Sequence, residues 1–114
     1  MSRVYKIVHA SAWREAERVG VFAGAPIDLQ DGFIHFSTAE QAAETAHKHF
    51  HGQSDLVVIG FEAEELGPAL RWEPSRGGAL FPHLYAPLPT AAARSRHELP
   101  LDGDGAPILP DLEP

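Results

Sequence analysis

Histidines placed just before helix starts are the first candidates for chemistry in this chain. His9 ends the alternating segment 4–9, and His35 lies in the alternating segment 33–37, directly before Ser37 and Thr38. An imidazole, two hydroxyls and the positive end of a helix can together hold anionic or hydroxyl groups of a ligand. The alternative is that both imidazoles are core side chains bonded to the backbone. Two histidines in equivalent positions are harder to explain in that way than one.

A carboxylate follows in the second half of the chain. Glu73 ends the short apolar segment 70–73, two positions after Arg71, and Pro74 prevents its simple continuation. A carboxylate at a strand end can orient a hydroxyl or stabilise developing positive charge. The alternative is a surface pair between Glu73 and Arg71, which contributes little to stability.

A third histidine lies within the apolar segment 80–84. His83 shares one strand face with Phe81 and Tyr85, which suits an aromatic wall for a base or a nicotinamide ring, with core packing as the alternative for the phenylalanine. In the loop before it, Arg76 and the backbone N–H groups of two glycines could wrap a phosphate.

Three further histidines invite a metal interpretation that their spacing does not support. Only His47 and His51 share a helical face, and the chain contains neither an HExxH motif nor a cysteine. Cationic imidazoles are favoured near a helix C-terminus in any case. We therefore expect no tightly bound metal, and we expect His47, His49 and His51 to lie outside a cleft shared by His9, His35 and His83.

The elements that must position these residues follow from periodicity. Segment 33–37 alternates as a strand, and segment 39–50 carries an apolar stripe with helical spacing, capped by Ser37 or Thr38. A first strand over 4–9, a short helix capped by Ser11, a buried strand over 55–61 and an edge strand over 93–99 complete the prediction, with a loop over 20–31. The first strand is expected to be central in its sheet because both of its faces are bulky.

Composition bounds the class of protein. With 114 residues, the chain forms one domain over 1–101, followed by an acidic, Gly- and Pro-rich tail over 102–114 that we expect to be loose. A net charge of −7 argues against nucleic-acid backbone as a partner. The absence of cysteine, of a signal peptide and of a long apolar run predicts a cytoplasmic protein without a membrane segment. The oligomeric state is left open.

Four ordered motifs carry a resemblance to a known family. The segments YKIVH, DGFIHFST, LRWEPSRGG and LFPHLYAPLP resemble the DUF952 family of small, mostly bacterial proteins over residues 3–100. By resemblance, that family is grouped with the ADP-ribosyltransferase superfamily, whose compact α+β fold binds NAD in a cleft between two small sheets. The resemblance therefore implies a single α+β domain of ADP-ribosyltransferase-like fold, with a mixed or split sheet and two short helices.

The resemblance also implies roles for individual residues. His9 would contact a ribose hydroxyl, the second motif would fall on residues 35–38, and Glu73 or His83 would take the third motif. The chain lacks the tyrosine of the second motif and the Glu-x-Glu or Gln-x-Glu pair of the third. These departures favour nucleotide binding over group transfer.

Three functional hypotheses result. The first is an ADP-ribosyltransferase-like enzyme that uses NAD or an ADP-ribosylated molecule as substrate, with no tightly bound cofactor. The second is a non-catalytic module that binds a nucleotide or phosphometabolite. The third is a histidine-based hydrolase or phosphotransferase with His35 and His83 as acid and base.

The expected partner is a small nucleotide-like ligand. The candidate catalytic residues are Glu73, His35 and His83, and the candidate binding residues are His9, Ser37, Thr38, Arg76 and Tyr85.

Overall fold

The chain folds as an α+β domain with antiparallel sheets and few helices, as seen in a computed structural model that describes residues 2–75 and 77–114. The strands are β1 (Arg3–His9), β2 (Val21–Phe22), β3 (Ile34–His35), β4 (Leu56–Glu62), β5 (Leu70–Pro74), β6 (Leu80–Leu84), β7 (Leu88–Pro89) and β8 (Ser95–Leu99). The helices are α1 (Ala10–Val19), α2 (Pro26–Asp31) and α3 (Ala39–Phe50), with short 3₁₀ segments at Ala63–Ala69 and Thr90–Ala92.

The main sheet has the order β1-β4-β8 and is antiparallel throughout. The prediction of β1 as the central strand is wrong, because β4 lies between the other two. β4 suits that place because Leu56 through Phe61 are all buried, so both of its faces are covered. The outer edge of β1 is also paired, because Tyr5 and Ser37 exchange two backbone hydrogen bonds of 2.8 Å.

The second sheet has the order β3-β6-β5, and a third pairing joins β2 to β7. Every strand pairing in the described part of the chain is antiparallel, so of the expected mixed or split sheet the split alternative is confirmed and the mixed one is wrong. The segment after β3 connects the two larger sheets. Phe36 donates its N–H to the carbonyl of Pro82 in β6, and the next residue, Ser37, pairs with β1. These bonds fix the position of the second sheet relative to the main sheet beside residues 34–37.

Two apolar clusters fill the space around the main sheet. The larger one packs Trp13 of α1 against Phe22 and Phe61, and it includes Ile34 and Leu84 from the second sheet. The smaller one lies around Tyr5, Ile7, Leu56, Val58, Ala46 and Leu99.

The C-terminal segment is attached to the smaller cluster. Leu109 and Leu112 pack against it, and the Tyr5 hydroxyl donates to the Glu113 carbonyl at 2.6 Å. The expected loose tail over 102–114 is therefore held against the smaller cluster at these three residues.

The helices differ from their predicted bounds in two places. His9, not Ser11, occupies the N-cap of α1, and the exposed Val19 lies outside the buried stripe of that helix. The segment expected to be a loop contains β2 and the six-residue helix α2, so the part of the chain that the structure describes has three α-helices instead of two. Thr38 caps α3 as predicted, accepting the N–H of Gln41 while the Gln41 side chain accepts the N–H of Thr38. No helix in residues 2–75 and 77–114 has the length and apolar character needed to cross a bilayer.

Close packing at Gly60 yields a stability prediction. A Cβ at this position in β4 would lie 2.4 Å from the Ser95 Oγ and 2.9 Å from the Tyr5 Cε1. We expect Gly60→Ala to lower the free energy of unfolding by roughly 1–3 kcal/mol, because overpacking displaces neighbours. Urea denaturation measures the change. Gly103→Ala is the control, since its Cβ would meet nothing within 4 Å. Equal effects of the two substitutions would contradict the prediction.

Candidate functional site

One face of the second sheet carries most of the chemically competent side chains. The cross-strand register places His35 of β3 opposite His83 of β6, and His83 opposite Arg71 of β5. Strand alternation adds the neighbours two positions away on the same side. We call this surface the histidine face, formed by Phe33, His35, Arg71, Glu73, His83 and Tyr85. On the opposite side of the sheet Ile34 and Leu84 are buried in the core, whereas Arg71 and Tyr85 are exposed on the histidine face and His83 is buried there.

Glu73 holds the first of two histidines. Its Oε1 accepts a hydrogen bond from the Tyr85 hydroxyl at 2.7 Å and lies 2.8 Å from the His83 Nδ1. The bonds from Tyr85 and His83 lower the pKa of Glu73, so this carboxylate is ionised near neutral pH. The same contact raises the pKa of Tyr85 and keeps its hydroxyl protonated. With Nδ1 used as a donor, the neutral His83 ring presents Nε2 as an acceptor.

Asp28 binds the second histidine, which is His35. Its Oδ1 lies 2.7 Å from the His35 Nδ1 and accepts the His35 backbone N–H at 3.0 Å. Its Oδ2 accepts the N–H of Ala25, the N-cap of α2, at 2.8 Å. The ammonium of Lys6 completes the set at 2.9 Å from Oδ2, and both charged side chains are buried. The strands and helix around His35 are thus tied to one carboxylate.

Asp28 is ionised despite its burial. Burial alone would raise the pKa of Asp28, but the hydrogen bond from His35 and the charge of Lys6 outweigh it and lower the pKa from 3.8 to about 2. For Lys6, burial lowers the pKa, and the Asp28 carboxylate opposes that effect. The pair is stable only because each charge has the other as a partner.

An aromatic side chain joins the two histidine–carboxylate pairs. The Phe33 ring stacks on His83 with centroids 4.1 Å apart, and it lies 4.6 Å from His35 and 5.2 Å from Tyr85. The two imidazoles are themselves 5.6 Å apart, edge to face. Arg71 lies over the Tyr85 ring at 5.2 Å and brings a cation to the same surface. The histidine face therefore combines an acid–base pair, an ionised carboxylate, a cation and an aromatic platform.

The second nitrogen of His35 has a carboxylate as well. Its Nε2 lies 2.9 Å from the Asp31 Oδ2, and Asp31 is an exposed residue at the end of α2. Ionised carboxylates only accept hydrogen bonds, so both contacts form together when both nitrogens of His35 carry protons. For His83, the described contacts include a single carboxylate. The two rings therefore differ in the number of carboxylates within hydrogen-bond distance.

The structure brings together four of the eight predicted site residues. His35, His83, Glu73 and Tyr85 lie on the histidine face. Arg76 lies outside the described residues. The expected roles of these side chains in catalysis and binding stay predictions.

The other three predicted residues use their polar groups elsewhere. The His9 Nε2 lies 2.9 Å from the Gln53 Oε1, with the ring edge-on to Phe50. Ser37 is buried and bonds Thr45, and Thr38 caps α3. These contacts do not support the expectation that His9 shares a cleft with His35 and His83.

Sequence reasoning missed Asp28, Lys6 and Phe33. A signal for α2 was present, with Pro26 at its first position, Asp28 at its third and Gly32 after its end. Nothing local connects Asp28 to Lys6 or His35, because those contacts depend on the tertiary fold. For metals, no group of three or more His, Cys, Asp or Glu side chains in residues 2–75 and 77–114 is placed to hold an ion.

The lowered pKa of Asp28 predicts an acid-dependent loss of stability. Because the folded-state pKa is about 2 and the ordinary value is 3.8, the contribution is complete above pH ~4 and is lost as the pH falls through 2. The linked free energy is about 2 kcal/mol. Urea denaturation of the wild type and of Asp28→Asn between pH 5 and pH 2 measures it. The stability difference between the two proteins should narrow as the pH falls, and a constant difference would contradict the prediction.

Comparisons with known proteins agree on family and fold. The crystal structure of protein CC0527 from Caulobacter crescentus is 50% identical, covers 94% of each chain and superposes with a TM-score of 0.91. The solution NMR structure of CC0527 is 51% identical, covers 94% of this chain and 92% of that one, and has a TM-score of 0.84. Comparison with curated proteins gave no match.

The family model that matches the chain is described as "Protein of unknown function (DUF952)" and spans residues 7–95. Neither this description nor the descriptions of the solved structures mentions an activity, so the expected ADP-ribosyltransferase resemblance gains no support from them. The match extends over most of the chain and includes every residue of the histidine face. The chain belongs to the DUF952 family of proteins of unknown function.

Proposed function

We propose that this protein is a small-molecule hydrolase in which His35 and His83 act as acid and base. One observation carries the proposal: two imidazoles lie directly opposite each other on neighbouring strands, each held at Nδ1 by a carboxylate, with centroids 5.6 Å apart. A carboxylate at Nδ1 fixes the ring orientation and the tautomer, and it directs Nε2 to the proton-transfer step. The His35 side chain is partly exposed, whereas the His83 side chain is only 9% exposed beside the Phe33 ring.

The hydrogen bonds support a proposed assignment of the two roles. His83, with its Nδ1 proton directed to Glu73, can accept a proton from water at Nε2 and so serves as general base. His35, which has a carboxylate at each nitrogen, is assigned the role of general acid and donates from Nε2 once the exposed Asp31 side chain turns away. The water oxygen attacks the electrophilic centre, the bond to the leaving group breaks, and His35 supplies its proton.

The ligand we propose is a small, nucleotide-like molecule with an anionic group. Arg71 supports this choice, because its guanidinium lies 5.2 Å over the Tyr85 ring and its N–H groups can bind an oxyanion. The exposed Tyr85 ring offers an aromatic surface beside it. The acidic protein as a whole does not favour long polyanions, which agrees with a single small ligand.

A second candidate is cleavage of a glycosidic bond in NAD or an ADP-ribosylated substrate. It is favoured by Glu73, which is ionised, partly exposed and beside the other polar groups of the histidine face. Such a carboxylate can orient a ribose hydroxyl and stabilise an oxocarbenium-like centre. In this case NAD is a substrate and not a resident cofactor.

Glu73→Gln tests the second candidate. The amide keeps the shape and one acceptor but removes the negative charge, so we expect ligand affinity to persist while release of ADP-ribose from NAD stops. NAD consumption measured beside calorimetric binding provides the assay. Turnover of NAD that survives in Glu73→Gln would exclude this catalytic role. If Glu73 only holds Tyr85 and His83 in place, as its hydrogen bonds show, NAD turnover should be unaffected.

The proposed hydrolase is tested with a substrate panel. Purified wild-type protein is incubated with nucleoside mono- and diphosphates, cyclic nucleotides, aryl phosphodiesters, carboxylic esters and NAD, and products are followed by proton and phosphorus NMR. We expect hydrolysis of at least one class, with loss in His35→Gln and in His83→Gln. Binding mapped to the histidine face without turnover of any class would overturn the enzyme and indicate a non-catalytic binding module.

A further inference from the structure

A cavity of about 250 Å³ adjoins the histidine face. It lies between α2, the residues before β3 and the chain that leaves β6 after Leu84. Two of its walls are also parts of the candidate site. Phe33 lines the cavity and stacks on His83, while Asp28 lines it and holds His35. A molecule with its reactive bond at the two imidazoles can therefore extend past Phe33 into this space.

The lining of the cavity selects for an apolar group. Leu29, Ile34, Leu84 and Ala86 contribute hydrocarbon surface. Asp28 is its one ionisable side chain, and both carboxylate oxygens already accept hydrogen bonds from Lys6, Ala25 and His35. A polar group entering the cavity would give up hydrogen bonds to water with little side-chain compensation. A hydrocarbon group incurs no such cost.

Size and entrance limit the occupant further. An apolar cavity of about 150 Å³ is sufficient to bind benzene, so this one accommodates a substituted single ring or a branched alkyl group. Leu29 is 66% exposed at the rim, where a lone apolar side chain can close over such a group. A nucleobase, with hydrogen-bonding groups around its edge, suits this lining less well than a hydrocarbon ring.

We propose that this cavity is the substrate-binding subsite for an apolar single ring or branched alkyl group attached to the bond that His35 and His83 cleave. The inference rests on the proposed hydrolase and narrows its substrates. They carry an oxyanion that Arg71 binds and, on the other side of the reactive bond, a hydrocarbon group in the cavity. Aryl and branched alkyl esters of small anionic acids have this form.

Toluene is the probe for the subsite, observed by amide NMR of the full chain at millimolar concentration. We expect shift changes confined to residues 32–34 and 84–86, and no such changes with adenine. Ala86→Leu fills the cavity and should weaken toluene binding at least tenfold, whereas Ala91→Leu, an exposed site away from the cavity, should leave binding unchanged. If Ala86→Leu does not fold, Ala23→Leu at the exposed rim replaces it.

The outcomes separate the subsite from the enzyme. Absence of toluene shifts at these residues, or equal binding by the filled variants, overturns the subsite, and the hydrolase can still stand on its substrate panel. Toluene binding in a protein without turnover supports the cavity and overturns the hydrolase. When both stand, Ala86→Leu should raise KM for ring-bearing esters at least tenfold and change KM for methyl esters little.

Discussion

Replacing His83 with glutamine is expected to lower turnover by about 10²–10⁴-fold, the usual contribution of a general base. Glutamine keeps a side-chain hydrogen bond to Glu73 within reach, but it cannot take a proton from water. Since His83 contacts Phe33 and Glu73 and lies at the base of the histidine face, the loss should appear in kcat more than in KM. Steady-state kinetics with the substrate found in the panel measures it.

His97→Gln is the matched control for this experiment. His97 is exposed on β8, in the main sheet, and has no contact with the histidine face among the described bonds. Its replacement should leave kcat and KM unchanged. Amide NMR spectra of both variants establish that the fold is intact. A His83→Gln protein that folds and retains more than a tenth of the wild-type kcat would contradict the role of general base.

Replacing Asp28 with asparagine is expected to lower the free energy of unfolding by roughly 3–5 kcal/mol, because it leaves the buried ammonium of Lys6 without its counter-charge. The amide also replaces one acceptor oxygen with an NH2 donor. That donor then faces other donors, which are Lys6 and the N–H groups of His35 and Ala25. Urea denaturation at pH 7 measures this change.

Asp31→Asn separates this effect from a simple loss of charge near His35. Asp31 contacts the other nitrogen of the same imidazole but is exposed, so its replacement should cost no more than ~1 kcal/mol. Lys6→Met tests the partner, since it leaves Asp28 with its hydrogen bonds but without a cation. A cost below ~1 kcal/mol for Asp28→Asn would show that the buried pair does not stabilise the fold as described.

Elements with strong local periodicity were predictable from the sequence. The apolar run of β4, the helical stripe of α3 and its Thr38 cap all reside within one short window each. The sheet orders were not predictable. β1 and β4 have similar apolar content, so the local pattern does not show which of them is the central strand. The antiparallel pairing likewise depends on how the connections fold back.

Only the part of the candidate site around Glu73 and His83 was predictable from the sequence. His83, Tyr85 and Glu73 lie on two strands close in sequence, and alternation alone places each on a common face. The link to His35 depends on a carboxylate in α2 and an ammonium in β1, which become neighbours only after folding. His9 illustrates the opposite error. Its position before a helix resembled that of His35, but its side chain bonds the segment after α3.

The position of β4 between β1 and β8 has a consequence for synthesis on the ribosome. β1 is made first, yet its partner begins only at Leu56, so the strand waits on the order of seconds at ~5–20 residues per second. During that interval its five consecutive buried residues, Val4 to Val8, have no sheet to join. β4 in turn waits for β8. Vectorial production therefore leaves first the edge of β1 and then the edge of β4 unpaired until β8 emerges.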